Sequence, residues 1–476
     1  MRGDLGVAFA AGAGVMALEL SASRWLAPGF GFTLETWAVL IAVTLLAGSL
    51  GAWGGGRAAR PDGRARVGAA LAVAGAWIVG AGQVASGVVA ALEPWSASVG
   101  AGACALALIA VPVALLGAVV PMLAGLDGPT GASARRVGGL VGASTLGSLV
   151  GTLAWAFVVV PRLGLAAGSA LQGALLCATA APLLARPGRA GAVLGVVACV
   201  ALAATPPPTT PDERDTPYGR IRLEASASGL VLTVNGIAQG THTPWPIERG
   251  DLLRRRQYVE LLAYLRPERH RAVQVGLGTG QVARMLRAHG VFVLTIELDP
   301  ALAALVTDEL GFDGPVRVGD GRRELRRTDT PWDFIVLDAF AGESPPAHLV
   351  TVEALAEARA RLAPGGVVCL HLIARPAHAA VGAVGAALAR VFAHRLCVRA
   401  GVGDRLQDVF LFGSDAPLRV PHHHPQLAEA GWLGNEVFTP ASLVPAPTDD
   451  ANAFDLVYRP LASELRAASL AYASAR

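Results

Sequence analysis

The sequence predicts two unlike halves: an α-helical transmembrane bundle of six or seven spans, then an α/β domain whose open parallel sheet is preceded by a small β-hairpin arm. Three observations predict this. Charge is the first: up to Thr205 the 476-residue chain carries 11 arginines and 6 acids, and from Pro206 onward 28 and 30. The second is the length of the apolar runs in the first half. The third is the stretch from Arg271 to Gly280, an apolar strand that runs into a glycine-rich turn and then into helical spacing, with three acid-tipped strands after it.

The apolar runs cover residues 5–26, 36–55, 67–92, 97–123, 137–160 and 164–185. Each exceeds the ~17–20 residues that a span requires. A seventh, 190–204, is shorter. Glu19 sits inside the first run and no small-residue cleavage site stands out, so that run reads as a span and not as a cleaved leader. Arg57, Arg60, Arg64 and Arg66 follow the second run, Arg135 and Arg136 the fourth, and Arg186 and Arg189 the sixth. Those loops and the N-terminus therefore share one side, the cytoplasm by the positive-inside rule. If the seventh run also crosses, the polar half emerges outside; if it lies in the interface, that half stays in the cytoplasm. Glu19 and Arg24 read as a pair near the end of the first span, Gly147-x-x-x-Gly151 as a close helix contact, and Pro112 and Pro121 as bends in the fourth span.

Residues 206–217, rich in proline, form the linker between the membrane domain (1–205) and the rest. Residues 218–245 read as the β-hairpin arm, ending in Asn235-Gly-Ile-Ala-Gln239, and 246–476 as the nucleotide-binding domain. A helix is expected over 251–265, carrying Tyr258 and Glu260. The strands 271–275, 291–298, 315–318 and 332–338 meet their helices at Gly276, Gly278, Thr279 and Gly280, at Glu297 and Asp299, at Asp320-Gly321 and at Asp338. Strands 366–373, 395–400 and 407–412 complete a sheet of about seven. Ligands of such sheets bind at the carboxyl ends of the strands, where glycines admit the ligand and a carboxylate can hold both ribose hydroxyls. A glycine turn alone is weak evidence; its spacing with three acids is much stronger.

Composition limits the partners. The net charge of +3 divides into +5 on the first half and −2 on the second, which gives a nucleic-acid partner no support. Cys104, Cys177, Cys199, Cys369 and Cys397 show no metal spacing and read as small buried hydrophobes. His422 to His424, flanked by prolines, read as a solvated loop, and no metal is expected.

In the polar half, the hairpin arm, Asn-Gly-x-x-Gln, Tyr-x-Glu, the glycine turn, Glu297, Asp320-Gly321 and Asp338 resemble spermidine synthase and related polyamine aminopropyltransferases, so that a Rossmann-like fold shared with methyltransferases is implied. The apolar half is similar to the membrane region of bacterial fused transporter-like spermidine synthases: Glu19-Leu-Ser-Ala-Ser-Arg24, Gly54-Gly-Gly-Arg57 and Ser144-Thr-Leu-Gly-Ser-Leu-Val-Gly-Thr match its pattern. Asp338-Ala-Phe, His348-Leu-Val-Thr351 and Thr448-Asp-Asp450 fit that membrane-linked branch better than the soluble enzymes. The resemblance implies a multi-pass protein of the bacterial inner membrane that takes decarboxylated S-adenosylmethionine as co-substrate and an amine as acceptor. Glu297 would hold the ribose with Asp299 beside it, Asp320 and Gly321 the adenine, and the turn from Gly276 to Gly280 the sulfonium end. Gln239 and Tyr258 would line the acceptor side, and Asp338 would orient the attacking amine and take its proton. The soluble relatives suggest a homodimer.

Three departures bear on the substrate. An acidic residue of the soluble enzymes is Thr279 here, an aspartate is Asn235, and a histidine is Val259. Without a carboxylate at Thr279 intact S-adenosylmethionine is also admissible. The alternatives are therefore an S-adenosylmethionine-dependent methyl or alkyl transferase, and a transporter or sensor regulated by its nucleotide-binding domain.

Overall fold

The computed structural model describes residues 2–30, 34–92, 95, 97–127, 134–204, 213–226, 229–242, 248–340, 342–421, 424–429, 431–432, 436–441 and 444–474. It divides into two compact units, Met1–Arg220 and Ile221–Arg476. Linker residues 206–212 and His422 and His423 lie outside the described residues. Glu213–Thr216, expected in the linker, is instead a short strand, β1.

Among its described residues the first unit contains six helices long and apolar enough to cross a bilayer: Gly3–Phe30, Thr36–Ala58, Arg64–Leu92, Ser98–Ala124, Ala134–Val159 and Arg162–Leu183. Absent side chains let them approach. A Cβ built at Gly12 would run into the Ser144 carbonyl, at Gly147 into that of Phe9, and at Gly151 into the Ala13 backbone. The first and fifth helices thus run parallel along the glycine ridge, as expected. The fourth is interrupted as its prolines require: a π-helical turn, Leu106–Ala110, precedes Pro112, and the helix is broken again at Ala118 before Pro121. A second π turn, Trp155–Val159, stands before Pro161 in the same way. Proline removes a backbone donor, and the wider turn absorbs the mismatch.

Polar contacts mark the two ends of this bundle. Asp4 accepts from Arg64 at 3.0 Å and from Arg136 at 3.3 Å, so the beginnings of the first, third and fifth helices share one end. At the other end Arg24 donates to the carbonyl of Pro217, and the Leu165 N–H donates to Asp215 at 3.4 Å. The marginal seventh run lies in a 19-residue helix, Arg186–Ala204, that packs antiparallel on the sixth: a Cβ at Gly195 would sit 3.2 Å from the Cys177 sulfur, and one at Gly173 3.2 Å from that of Cys199. At 1.5 Å per residue it is about 28 Å long, close to the thickness of a hydrocarbon core.

The arm belongs to a four-stranded sheet in the order β1-β2-β3-β4, in which β2 (Gly219–Ser226), β3 (Gly229–Val234) and β4 (Ile237–His242) pair antiparallel. The turn between β3 and β4 has φ of 51° at Asn235 and 80° at Gly236. Positive φ at both central positions is the two-residue hairpin geometry that Asn-Gly favours. Among the described residues the main sheet has eight strands, one more than expected, because Val437–Phe438 adds a short edge. Its strands are β5 (Arg271–Val275), β6 (Phe292–Glu297), β7 (Val316–Val318), β8 (Trp332–Leu337), β9 (Leu362–Ala374), β10 (His394–Arg399), β11 (Gln407–Ser414) and β12 (Val437–Phe438), in the order β12-β10-β11-β9-β8-β5-β6-β7. The five strands β9-β8-β5-β6-β7 are parallel and the last three antiparallel. Alternate residues serve opposite faces: Ala272, Phe334 and Val336 pack with Leu286 and Phe410, whereas Val273, Ile335 and Leu337 pack with Leu355 and Leu388.

The helix expected over 251–265 is broken in two. Asp251–Arg254 ends, Arg256 takes φ 62°, and Tyr258–Glu260 and Leu261–Leu265 start afresh. Glu260 is the reason for the restart, since its fully buried carboxylate accepts from Gly250 N–H at 2.5 Å, Leu253 N–H at 2.9 Å and His289 Nε2 at 2.8 Å. A further helix, Phe454–Ser474, closes one face of the sheet through Tyr458, whose hydroxyl donates to the Ile373 carbonyl at 2.6 Å.

The packing of the first unit yields a test. Gly147→Val drives two methyl groups into the Phe9 backbone and should cost about 1–3 kcal/mol. Gly138→Val, whose Cβ meets nothing within 4 Å, should leave stability unchanged. Thermal unfolding of both variants in detergent reads the difference.

Candidate active site

The carboxyl ends of β5, β6, β7 and β8 lie side by side, and each closes on its neighbour. Gly276 N–H donates to Ile296 O at 2.8 Å, Gly319 N–H to Glu297 O at 2.8 Å, and Asp338 N–H to Val275 O at 2.9 Å. Gly276 has φ 95°, Gly278 52° and Gly280 77°, backbone that side-chain-bearing residues rarely adopt. At Gly276 a Cβ would also strike the Asp338 carbonyl. The turn is therefore held against the tip of β8 and leads into helix Gln281–Ala288.

Glu297 is buried at 8% exposure. Its two carboxylate oxygens accept from Leu277 N–H at 3.0 Å and Asp299 N–H at 2.9 Å. Burial pushes its pKa up, against the pull of those two donors. Asp299 is spent on structure: its Oδ1 accepts from Ala301 N–H at 2.9 Å, capping helix Pro300–Asp308 with Pro300 in the first turn. Asp320 caps helix Gly321–Arg326 through Arg323 N–H at 2.8 Å, and its other oxygen meets His348 Nε2 at 3.2 Å. Gly321 abuts the Val275 side chain, with no room for a Cβ.

The arm reaches the same place. Gln239 donates to the Gly342 carbonyl, in the loop after Asp338, at 3.2 Å, and Gln281 donates to the Thr241 carbonyl. Thr279 is buried at 5% exposure, and its hydroxyl lies 3.5 Å from where a Gly240 Cβ would be. Tyr258 is buried edge-on against Phe410 and Trp432, ring centroids 6.2 and 5.3 Å away. Burial, with Glu436 adding to it, raises its hydroxyl to about 12. Tyr258 thus stands behind Phe410.

Asp338 introduces residues that the sequence reading passed over as strand interior. Its Oδ1 meets His371 Nδ1 at 2.7 Å; His371 Nε2 meets Asp408 Oδ1 at 2.9 Å; and Asp408 Oδ2 accepts from Gln257 at 2.8 Å. The imidazole lies flat on Phe410, centroids 4.7 Å apart at 8°, with Phe340 edge-on at 5.4 Å. Burial disfavours the imidazolium, but Asp338 and Asp408 outweigh it and raise His371 to about 10. A polar residue on each of two buried strands was the available signal, but their pairing depends on the β9–β11 register, which sets His371 opposite Phe410 and Asp408 opposite Ile373.

The motifs His348-Leu-Val-Thr351 and Thr448-Asp-Asp450 meet beside Asp320. Arg322 binds Asp449 through two nitrogens at 2.8 and 2.7 Å and Glu357 through two more contacts at 2.8 Å. Thr351 donates to Asp449 at 2.8 Å. Arg322 first, then Thr351, holds the Asp449 carboxyl down at about 2 despite some desolvation. Among the described residues there is no metal-binding cluster of His, Cys, Asp and Glu, and Cys369 and Cys397 are separate free thiols.

The fold is an α/β domain in which a glycine turn, Glu297, Asp320 and Asp338 stand at the carboxyl ends of neighbouring strands. No family model matches the chain. It is 27% identical over 157 residues to the spermidine synthase of Dictyostelium discoideum, covering 31% of this chain and 53% of that one. It is 29% identical over 303 residues to a polyamine aminopropyltransferase of Mycobacterium tuberculosis, covering 54% and 56%. The chain thus spans about half the length of these curated relatives. Among solved structures, a probable spermidine synthase from Corynebacterium glutamicum overlaps 48% of this chain and 86% of its own, with TM-score 0.38 and 22% identity. The chain is thus similar, over about half their length, to proteins named spermidine synthase and polyamine aminopropyltransferase.

Two tests follow from the geometry. Glu297→Ala strands two buried N–H groups at ~1–3 kcal/mol each, so the glycine turn should show much faster amide hydrogen exchange than helix Leu261–Leu265. For His371 the folded pKa is raised, so its contribution to stability is complete below the unfolded value of about 6.5 and is lost as pH rises towards about 10. Urea unfolding of the full chain should show wild type and His371→Gln converging across that interval.

Proposed function

We propose that the second unit is a group transferase that moves an alkyl group from an adenosyl sulfonium donor to an amine. The observation that carries this reading is the meeting of the glycine turn, Glu297, Asp320 and Asp338 along one sheet edge, beneath an arm that touches the turn at Thr279 and the following loop at Gly342. Glu297 offers its remaining lone pairs to the ribose hydroxyls, Asp320 to the adenine amino group, and the N–H-rich turn and helix start to the donor's tail. Gln239 lies at the acceptor side, and Asp338 takes up the proton.

The chemistry asks little of the protein beyond alignment. Sulfonium is already a good leaving group, so the carbon–sulfur bond breaks with its electron pair going to sulfur as the amine nitrogen forms the new bond. Amines with pKa near 10 are mostly protonated at neutral pH, and a carboxylate at the point of attack stabilises the neutral nitrogen's departing proton. Decarboxylated S-adenosylmethionine and an aminopropyl group are the donor and payload suggested by the relatives' names. Thr279, neutral and packed beneath Gly240, lacks the charge that would favour a donor amine over a donor carboxylate, so the intact molecule is the competing donor. Mass spectrometry of products after incubation with each donor and a panel of amines separates the two by transferred mass. Asp338→Asn should lower turnover about 100-fold or more and leave adenosyl-ligand affinity within about twofold. Unchanged turnover would exclude Asp338 as the proton acceptor, and no turnover of wild type with any donor and amine would favour a sensor.

We also propose that the first unit is embedded in the membrane with seven crossings. The helix Arg186–Ala204 brings the chain back to the end occupied by Arg24 and Leu165, opposite Asp4 and the arginine-rich loops. The positive-inside rule then sets the polar half outside the cytoplasm. A protease added to sealed inverted vesicles should leave the polar half intact; cleavage there would mean that Arg186–Ala204 does not cross.

A further inference from the structure

One feature of the site is unaccounted for by a carboxylate acting alone. A general base needs a free lone pair at the substrate, yet Asp338 is bound by an imidazole that is itself clamped from behind. His371 Nδ1 takes Asp338 Oδ1 at 2.7 Å, and among the described residues no hydrogen bond ends on Oδ2. The Asp338 side chain is 23% exposed and that of His371 11%, so the carboxylate is the more open member of the pair.

We propose that His371, held by Asp408, is a positioning residue that fixes Asp338 through one oxygen and presents the other to the acceptor nitrogen. This rests on the transfer reading above and deepens it. Three constraints set the imidazole. Phe410 stacks on its face and Phe340 meets its edge, which fixes the ring plane. Asp408 bonds Nε2, and Gln257 bonds the second oxygen of Asp408, which fixes the rotation within that plane. Gln257 follows Arg256, whose φ of 62° costs strain in a residue with a side chain and whose guanidinium is anchored on the Ala400 carbonyl at 2.9 Å. The strain lies where the chain must turn Gln257 towards Asp408.

Charge gives the arrangement its second effect. An imidazole donating from both nitrogens is cationic, and a cation 2.7 Å from Asp338 holds a fixed positive charge beside the acceptor site, which favours a neutral acceptor nitrogen over an ammonium. The groups facing His371 are Asp338 from β8 and Asp408 from β11. Cys369, two residues away on β9, is a buried thiol raised well above its ordinary value by burial and Asp338, and so stays neutral. Tyr458, on the last helix, interacts with Asp408 and donates to Ile373 O; burial raises its hydroxyl beyond the physiological range. No second cation competes with His371 among these.

The test reads the ring directly. Full-length protein labelled with 15N-histidine in detergent is titrated from pH 6 to 9, with His371 assigned by its loss in His371→Gln. Both ring nitrogens of His371 should stay protonated throughout. In Asp408→Asn the ring should titrate within the range, and kcat should fall about 10- to 100-fold at the alkaline end while the donor KM stays within about twofold. His371→Gln, whose amide can still donate to Asp338, should keep more activity than His371→Ala, and both should shift the acid limb of kcat upward. A wild-type His371 that titrates near 6.5, or an Asp408→Asn variant with unaltered ring titration and kcat, overturns the proposal. Absence of product with every donor and amine would instead sink the transfer reading, and the nitrogen shifts would still decide the clamp.

Discussion

Two backbone N–H groups, from Leu277 in the glycine turn and Asp299 at the start of the next helix, end on the one buried carboxylate of Glu297. The rest of the site depends on that junction. It fixes the turn, whose three positive-φ glycines have no side chains to hold them, to the tip of the neighbouring strand. Once the turn is fixed, Gly276 lies against the Asp338 carbonyl, and the position of β8 relative to β5 follows. The arm then rests on a surface already defined, with Gly240 over Thr279. Burial in such a junction pushes the carboxyl pKa up, and two donors offset part of the desolvation.

The parts of this site that the sequence made legible are those in which one residue's chemistry announces its place. A strand that ends in Gly-x-Gly-x-Gly, or in a lone acid after apolar residues, can be read locally because alternation and turn chemistry are local. The hairpin turn at Asn235-Gly236 is of the same kind. What stayed hidden depends on register or on tertiary partners. His371 and Asp408 lie on buried strands some distance apart in sequence, and only antiparallel pairing makes them diagonal neighbours. The helix over 251–265 looked continuous because its apolar residues keep helical spacing, but the buried Glu260 collects the N–H groups of Gly250 and Leu253 and fixes a break at Arg256. Asp299 read as a ligand for the opposite reason: an Asp-Pro before a helix is both a strand-tip acid and a cap, and the structure uses it as the cap.

In the first unit the same contrast appears. Glycine spacing foretold the close contact at Gly147 and Gly151, because only contacts without a Cβ leave so plain a mark. The seventh helix was ambiguous by hydropathy, since its first turn carries Arg186 and Arg189 around Pro187. Packing resolves its direction: Gly195 against Cys177 and Cys199 against Gly173 run in opposite order along the two helices. Parallel pairing of the first helix with the third and fifth, through Asp4 and the glycine ridge, makes the alternation of directions consistent from the first helix to the seventh.

Several acids stand at one sheet edge, and their hydrogen bonds divide the work among them. Glu297 has an N–H on each oxygen and keeps only secondary lone pairs for a ligand, which suits binding hydroxyls and not removing protons. Asp299 is closed by its helix cap. Asp320 shares one oxygen with the helix start and the other with His348. Asp338 alone has one oxygen held from within and the other unengaged among the described residues. A proton acceptor must combine fixed direction with an open lone pair, and of these carboxylates only Asp338 has both. The proposed role of Asp338 therefore rests on how its neighbours are already occupied as well as on the likeness to other proteins.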